Sequence, residues 1–382
     1  MNLLHISTFL QGGAGKMVVD LARNSKARGD QVWVACTKNG VGDYSNYQNH
    51  LDELKSLQIP ILYLESTFSR EHQSVYKTAI ELRNYIRKLE IELVHSHAAN
   101  PSLISLIATS ARQRKIPVLQ TMHGWGIYKS REQEKKDVSV MELLDQVIAI
   151  SMSSKILLRK KGLQNKHCSI LYNGILPTEQ GTPSPQGDRH LPEIEMLRKQ
   201  GFSIAGIVGT IDKRKNQKLL IEAVKKLPKE LKVKFFLVGE GEETNEIKRL
   251  SLKYGISDKF ALTGFQENGE QFIAAFDLLI SSSRSEGGPP LSVIEAFAKK
   301  TLVLASDTPE HCEAVKDNHT GFLFKDDDPN DLAQRIIQIL HSIPSDKIKK
   351  NAFQFYMQNF TLNKTFESYL EWYHVLLENK NA

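Results

Sequence analysis

The feature that most constrains the fold of this chain is a regular alternation of short apolar runs with longer amphipathic segments. In the first half the apolar runs lie at residues 3–6, 31–35, 61–64, 93–95, 118–121 and 146–150. Amphipathic segments with helical spacing separate them, for example at residues 74–89. Strands that alternate with helices form a parallel sheet with helices packed on both faces. The pattern therefore predicts an α/β fold.

The alternation restarts after a segment rich in proline and glycine at residues 177–200. Further apolar runs follow at 204–208, 234–238, 276–280 and 301–305. A chain of 382 residues is too long to fold around one ordinary hydrophobic core and fits two domains. We predict two Rossmann-like domains facing an inter-domain cleft, at residues 1–176 and 201–355, joined by the linker 177–200. A C-terminal helix at 356–382 should pack back on the first domain.

Composition excludes several other classes of protein. No apolar run reaches the roughly 18 residues that a membrane span requires. The first residues have no basic region and no cleavage-site pattern, so no secretion signal is predicted. The three cysteines, Cys36, Cys168 and Cys312, are far apart in the sequence. This usage argues against a disulfide framework and predicts a cytoplasmic protein.

Charge is distributed unevenly along the chain. Residues 1–175 carry 23 Lys and Arg against 15 Asp and Glu, whereas residues 176–382 carry 27 against 29. The basic residues of the first half cluster at 112–115, 129–136 and 155–166. A basic domain predicts an anionic partner: a phosphorylated acceptor, or an anionic membrane surface that would hold the protein at the inner face of the cytoplasmic membrane. No nucleic-acid module is present, so nucleic acid is not expected as a partner.

The segment 281–298, S-S-S-R-S-E-G-G-P-P-L-S-V-I-E-A-F-A, follows an apolar run and leads into a helix pattern. Glycines permit close approach of backbone N–H groups to a ligand, and a helix N-terminus favours an anion such as phosphate. The carboxylates of Glu286 and Glu295 can accept hydrogen bonds from hydroxyl groups. The segment therefore suits a nucleotide-sugar, although two surface glutamates on a strand–loop–helix connection remain the simpler alternative.

Two further sets of polar residues follow predicted strands. Residues 212–216, D-K-R-K-N, place cations after the strand at 204–208, where arginine can engage diphosphate oxygens bidentately. His97 and His123 follow strands of the first half and are candidate active-site groups. His95, His97 and His123 could together form a metal site, but no carboxylate accompanies them at ligand spacing. We therefore expect no bound metal. The glycine loop at 11–17 resembles a phosphate loop but has Leu10 and Met17 where that pattern requires Gly and Ser or Thr.

Taken together, these motifs resemble those of the family 4 glycosyltransferases, which are retaining enzymes of the GT-B fold. The first-half motifs are G-G-A-G, V-H-S-H, T-M-H-G and Y-N-G-I. The second-half motifs are more specific: V-G-T-I-D-K-R-K-N, L-V-G-E-G, L-T-G-F, S-E-G-G-P-P-L-S-V-I-E-A and H-T-G-F-L-F. Two positions depart from the usual pattern, because Thr210 stands where arginine is common and nine residues separate Glu286 from Glu295 rather than eight.

The resemblance implies roles for individual residues. Lys215, with Arg214 or Lys213, would hold the donor diphosphate, Glu295 would bind the ribose hydroxyls, and Glu286 would contact the donor sugar. His123 would lie beside the reacting sugar, so His123 and Glu286 are the predicted catalytic residues. The other predicted donor-binding residues are Gly12, Gly13, Gly264, Phe265, Gly287, Gly288 and Leu291. His97 and Asn173 are expected near the acceptor or the sugar.

The resemblance implies a metal-independent transferase without a cofactor. It would move a sugar, from a UDP-sugar by preference, to a hydroxyl of a glycan or lipid-linked acceptor in lipopolysaccharide or other surface-glycan synthesis. Two alternatives remain open at the level of sequence: a GT-B sugar-nucleotide epimerase and a non-catalytic nucleotide-sugar-binding protein.

Overall fold

The computed structural model describes residues 1–8, 10–37, 46–110, 116–126, 129–164, 167–176, 190–342 and 346–379. These residues form two compact units. The first consists of Met1–Asn173 and Leu362–Ala382, and the second of Gly174–Thr361. Part of the predicted linker, 177–189, lies outside the described residues, as do the predicted basic cluster at 112–115 and Lys166.

The first unit is built on a seven-stranded sheet in which every pairing is parallel. Its strands are β1 (Asn2–Ile6), β2 (Gln31–Thr37), β3 (Ile61–Leu64), β4 (Leu93–Ser96), β5 (Val118–Met122), β6 (Gln146–Ala149) and β7 (Cys168–Ile170). The helices between them are α1 (Gly12–Ala27), α2 (Asn46–Ser56), α3 (His72–Lys88), α4 (Ala99–Thr109), α5 (Arg131–Glu142) and α6 (Met152–Lys160). The strand order is β3-β2-β1-β4-β5-β6-β7.

This strand order explains both the apolar runs and the position of the polar residues. Strands β4, β5 and β6 are buried along their whole length because helices cover both faces of a parallel sheet. The order in which successive strands are added reverses at the neighbours β1 and β4. Strands β2 and β3 lie on one side of β1, and β4 to β7 lie on the other. Ligands of open parallel sheets bind beyond the carboxyl ends of the strands at such a switch point. The residues that follow β1 and β4 are therefore placed for binding.

The second unit repeats this architecture with six parallel strands in the order β10-β9-β8-β11-β12-β13. They are β8 (Ser203–Val208), β9 (Val233–Val238), β10 (Phe260–Gly264), β11 (Leu278–Ser281), β12 (Leu302–Ser306) and β13 (Phe322–Phe324). Its helices are α7 (His190–Lys199), α8 (Gln217–Val224), α9 (Thr244–Lys253), α10 (Gly269–Ala275), α11 (Leu291–Ala298), α12 (Pro309–Ala314), α13 (Pro329–Ser342) and α14 (Asp346–Asn359). The prediction of two parallel α/β sheets is confirmed.

Two segments differ from the sequence-based description of the connections. Helix α7 lies inside the predicted linker, because His190 and Ile194, one helical turn apart, are buried. The single C-terminal helix expected from the sequence is divided near Phe360, between α14 and a last helix, α15 (Leu362–Glu378). Tyr369 and Tyr373 of α15 are fully buried in a cluster with core residues of the first unit.

The predicted membrane surface depends on the helices and on the basic residues of the first unit. Among the described residues, no helix combines the length and the apolar character needed to cross a bilayer. Several cations of the predicted basic patch are paired with carboxylates: Lys129 with Asp137, Lys136 with Glu132 and Lys161 with Glu134. Pairing reduces the positive charge that this surface offers to anionic lipid.

Candidate active site

The candidate donor site lies at the carboxyl edge of the second sheet, beyond the adjacent strands β8 and β11. The loop that follows β8 carries the cations predicted at 212–216, and the loop that follows β11 carries Glu286. Strand order places β8 beside β11 although many residues separate them in sequence. Because parallel neighbours end at the same edge of a sheet, the two loops meet.

Glu286 is the centre of an ion cluster formed by these two loops. Its Oε1 lies 2.6 Å from Nζ of Lys215, and its Oε2 lies 2.7 Å from Nη1 of Arg214. The Glu286 side chain is only 10 % exposed. Burial by itself would raise the pKa of the carboxyl group, but Lys215 and Arg214 hold that pKa below its usual range. Arg214 is thus the cation that accompanies Lys215 in the structure, whereas Lys213 is exposed.

Polar groups within the protein fix the cation loop in position. Oδ1 of Asp212 accepts a hydrogen bond of 2.7 Å from the backbone N–H of Lys215. The hydroxyl of Ser282 donates to the carbonyl oxygens of Lys215 and Asn216, at 2.9 and 3.1 Å. Asn216 adopts a left-handed backbone conformation (φ 54°), which asparagine tolerates better than most residues. The backbone that carries Lys215 is therefore held before any ligand binds.

His311 lies buried near this cluster, and sequence reasoning did not identify it. Its Nε2 lies 2.7 Å from the hydroxyl of Ser281, and its Nδ1 contacts the hydroxyls of Ser306 and Thr308 at 3.0 and 2.8 Å. Burial lowers the pKa of His311 to about 4, so the ring is neutral at pH 7. It joins the ends of β11 and β12 through hydroxyl groups. The sequence did contain a signal for this residue, because His311 lies three residues after Thr308 and just beyond an apolar strand.

The remaining predicted donor residues lie along the same edge of the sheet. Gly264 ends β10, and Phe265, which follows it, is 39 % exposed. Gly239, after β9, has φ 136°, and a Cβ atom there would lie 2.1 Å from the carbonyl oxygen of Gly209. Only glycine allows this close approach between the two loops.

Helix α11 begins beside the ion cluster. Gly287 and Gly288 precede it, Leu291 is its first residue, and Glu295 lies one turn later and is partly exposed. The N-cap residue is Pro290, which provides no side-chain cap. A helix N-terminus carries a partial positive charge that favours anions. The predicted donor residues of the second half are thereby brought to one edge of one sheet.

In the first unit, three histidine rings form a hydrogen-bonded chain. Nδ1 of His5 lies 3.0 Å from Nε2 of His97, and Nδ1 of His97 lies 3.0 Å from Nε2 of His123. These residues belong to β1 and to the loops after β4 and β5, which are neighbours in the sheet. Burial lowers the pKa of His5 to about 3 and that of His123 to about 4. Burial also lowers the pKa of His97 well below its usual value, so the chain is neutral at pH 7.

A neutral chain of this kind has two proton arrangements. His5 Nε2 and His123 Nδ1, the terminal nitrogens, have no hydrogen-bond partner. If protons lie on every Nδ1, each ring donates towards His123, and His123 presents an Nδ1–H group. The opposite arrangement places a proton on every Nε2 and ends in an N–H group of His5, so each arrangement leaves one buried N–H group without a partner. Only the first arrangement makes Nδ1 of His123 a hydrogen-bond donor.

The metal site considered from the sequence is rearranged in the structure. Nitrogens of His5, His95 and His97, rather than His123, lie within 4.8 Å of one another. His95 already contacts the hydroxyls of Tyr373 and Thr121, at 2.7 and 2.8 Å. Both ring nitrogens of His97 contact other histidines. The observed hydrogen bonds therefore occupy most of the nitrogens that a metal ion would need.

Other predicted residues of the first unit occupy separate positions. Gly12 and Gly13 were expected in a loop, but they form the exposed first turn of α1. Within this helix Gly15 packs against Leu10, where a Cβ atom would lie 2.4 Å from the Leu10 carbonyl carbon, so a larger residue does not fit. Asn173 follows β7, which β5 and β6 separate from β4 and His97. His5 was missed, although a histidine inside the apolar strand β1 was visible.

Comparison with known proteins places this site in a family. Residues 194–355 match the family described as glycosyl transferases group 1, and residues 11–179 match glycosyltransferase family 4. A Bacillus subtilis protein named as a glycosyltransferase, EpsD, is 28% identical over 76% of this chain and 77% of its own length. The Escherichia coli UDP-Gal:alpha-D-GlcNAc-diphosphoundecaprenol alpha-1,3-galactosyltransferase is 20% identical over 86% of this chain and 86% of its own length.

Solved structures agree with this assignment at the level of the fold. The crystal structure of Anabaena Alr3699/HepE in complex with UDP and glucose superposes with a TM-score of 0.81 and 20% identity. The match covers 98% of this chain and 100% of that one. The two parallel sheets, the ordered motifs and these matches lead to one conclusion: the chain is a family 4 glycosyltransferase with the GT-B fold.

Proposed function

We propose that this glycosyltransferase moves a sugar from a UDP-sugar to a hydroxyl of a glycan or lipid-linked acceptor, with retention of anomeric configuration. The observation that carries the proposal is the cluster of Lys215, Arg214 and Glu286 beside the N-terminus of α11. Two cations on one carboxylate, at a positively polarised helix end, suit a diphosphate that gains charge as the sugar departs.

In this proposal Glu286 exchanges partners when the donor binds. In the structure its carboxylate pairs with Lys215 and Arg214, and thus occupies the position of an anion. Donor phosphate oxygens would replace it on the two cations. The released carboxylate would then accept hydrogen bonds from hydroxyls of the donor sugar. Because the cation loop is already fixed through Asp212 and Ser282, this exchange requires side-chain motion only.

The other donor contacts follow from positions along the same sheet edge. Glu295 on α11 would bind ribose hydroxyls, and Gly264 with the exposed ring of Phe265 would receive the base. Backbone N–H groups at Gly287 and Gly288 would contact the sugar or phosphate. His123 would donate from Nδ1 to a hydroxyl of the reacting sugar, with His97 behind it in the histidine chain.

Relatives support the choice of donor and acceptor. HepE was crystallised with UDP and glucose, and the E. coli relative is named for a UDP-galactose donor and a diphosphoundecaprenol-linked acceptor. We propose a UDP-sugar donor and a role in lipopolysaccharide or related surface-glycan synthesis on this basis.

Glu295→Ala tests the proposal directly. The substitution should weaken UDP binding by about 1–3 kcal/mol, the cost of leaving hydroxyl groups unpaired. Isothermal titration with UDP measures this, and product analysis with a panel of UDP-sugars and acceptors establishes transfer. Glu313→Ala, on the separate helix α12, is the matched control. Unchanged UDP affinity in Glu295→Ala would remove the ribose role, and a free epimerised nucleotide-sugar as the product would refute transfer.

We further propose that the reaction needs no metal ion. Two of the three acidic residues at 326–328 have structural partners: Asp327 pairs with Arg284, and Asp328 accepts hydrogen bonds from the first backbone N–H groups of α13. Transfer should therefore continue at an unchanged rate in excess EDTA. The rate is measured by product formation before and after chelation. Loss of activity that Mg²⁺ or Mn²⁺ restores would contradict the proposal.

A further inference from the structure

The first unit contains a cavity that the donor chemistry does not use. Its volume is about 330 Å³. Its walls come from Thr8 after β1, from the start of α4 after β4, and from residues 124–126 after β5. These strands are neighbours at the switch point of the first sheet, where ligands of parallel sheets bind. His123 also directly precedes Gly124, which lines the cavity.

One wall of the cavity has an excess of positive charge. The carboxylate of Asp137, on α5, is 2 % exposed and accepts hydrogen bonds from Arg70 at 2.7 and 3.3 Å. The same carboxylate pairs with Nζ of Lys129 at 2.8 Å. Two cations therefore share one buried carboxylate. The Arg70 side chain is 39 % exposed, so its remaining N–H groups can reach an anion in the cavity.

Aromatic rings form part of the lining. Trp125 donates its indole N–H to Glu134 at 2.8 Å, which fixes the orientation of the ring. Nζ of Lys129 lies 4.2 Å from the centre of that ring. Phe68 also lines the cavity and is 41 % exposed. Flat aromatic surfaces with an apolar body pack well against the C–H faces of sugar rings.

The shape of the cavity is set before a ligand binds. Asn100 donates its side-chain amide to the carbonyl oxygens of Thr67 and Ser69, at 2.9 and 3.0 Å. These bonds hold the segment that carries Phe68 and Arg70 against the start of α4. Preformed, partly apolar cavities with a few convergent polar groups are typical ligand sites.

From this combination we infer that the cavity binds the phosphate-bearing sugar of the acceptor. Arg70 and Lys129 contact the phosphate, and Trp125 with Phe68 packs against the sugar ring. The inference rests on the proposed transferase function and adds the chemical class of the acceptor: a sugar 1-phosphate or sugar diphosphate, rather than a neutral glycan.

The test compares three small probes: N-acetylglucosamine 1-phosphate, N-acetylglucosamine and inorganic phosphate. Trp125 lies in the cavity, so its fluorescence reports occupancy alongside titration calorimetry. We expect the sugar phosphate to bind at least tenfold tighter than either the neutral sugar or phosphate alone. Equal binding of the sugar phosphate and the neutral sugar would overturn the charge assignment. Equal binding of the sugar phosphate and inorganic phosphate would overturn the carbohydrate assignment.

Two variants with opposite expected effects separate a binding role from a structural one. Arg70→Gln should abolish the preference for the sugar phosphate. Asp137→Asn should increase affinity for it severalfold, because both cations lose their carboxylate partner. Lys136→Gln, an exposed residue paired with Glu132, is the matched control and should change nothing. A purely structural ion pair predicts no gain for Asp137→Asn, and that result would overturn the inference.

Two further arms complete the experiment. UDP binding is measured on the same protein preparations. If the protein binds UDP but not the sugar phosphate, the inference about the cavity is rejected and the proposed function stands. If the protein does not bind UDP, the proposed function itself is rejected. A short-chain prenyl diphosphate-linked N-acetylglucosamine distinguishes the two sources of the ligand. Affinity at least tenfold above that of the sugar 1-phosphate identifies a lipid-linked acceptor, and equal affinity identifies a phosphorylated soluble glycan.

Discussion

Replacing Lys215 by alanine should lower the rate of sugar transfer by about 100- to 1,000-fold, the usual cost of removing a preorganised group that stabilises developing charge. Nζ of Lys215 lies 2.6 Å from the Glu286 carboxylate, in a loop fixed by Asp212 and Ser282. The cation is thus held in position, and in the proposed reaction its charge would act mainly as the diphosphate departs. We expect a smaller loss in UDP affinity than in turnover.

The matched control is Lys213→Ala, which removes an exposed cation two residues earlier in the same loop. It should leave turnover nearly unchanged, and Lys215→Arg should recover part of the lost rate by restoring the charge. Steady-state kinetics with a UDP-sugar, combined with calorimetry for UDP, separates turnover from binding. Similar losses in Lys213→Ala and Lys215→Ala would show that general positive charge, rather than the positioned ammonium group, supports the reaction.

Acidification should unfold the first unit before the second. His5, His95, His97 and His123 of the first unit have pKa values lowered by burial, whereas among the described residues of the second unit this holds for His311. A buried neutral histidine has a lower pKa in the folded than in the unfolded state. Its stabilising effect is complete above pH 6.5 and is lost as the pH falls towards the folded pKa. For His123, with a pKa of about 4, the loss between pH 6.5 and pH 4 is about 3 kcal/mol.

Several such losses approach the whole stability of a typical domain, about 5–15 kcal/mol. The tryptophans, Trp33, Trp125 and Trp372, all lie in the first unit, so their fluorescence reports that unit alone. We expect the fluorescence transition at a higher pH than the final loss of far-ultraviolet circular dichroism. His123→Gln should move the fluorescence midpoint to lower pH, and His72→Gln, at an exposed position of α3, should not. Coincident transitions, or equal shifts in both variants, would contradict the assignment.

Several features of the fold followed from local sequence pattern. Apolar runs at 118–121 and 204–208 became β5 and β8 almost residue for residue, since a strand buried on both faces is mostly apolar. The shortest strands, β7 and β13, were not predicted because three residues carry little periodicity. The break between α14 and α15 was missed because apolar and aromatic residues continue through it.

The sequence by itself determined the two parallel α/β sheets and the loops that carry polar residues, because both depend on patterns within a few residues. Only the tertiary structure decided which loops meet. The pairing of Glu286 with Arg214 and Lys215 requires β8 to lie beside β11. The chain from His5 to His123 requires the order β1-β4-β5. Strand order arises from the packing of crossover helices across the whole sheet, and no local pattern encodes it.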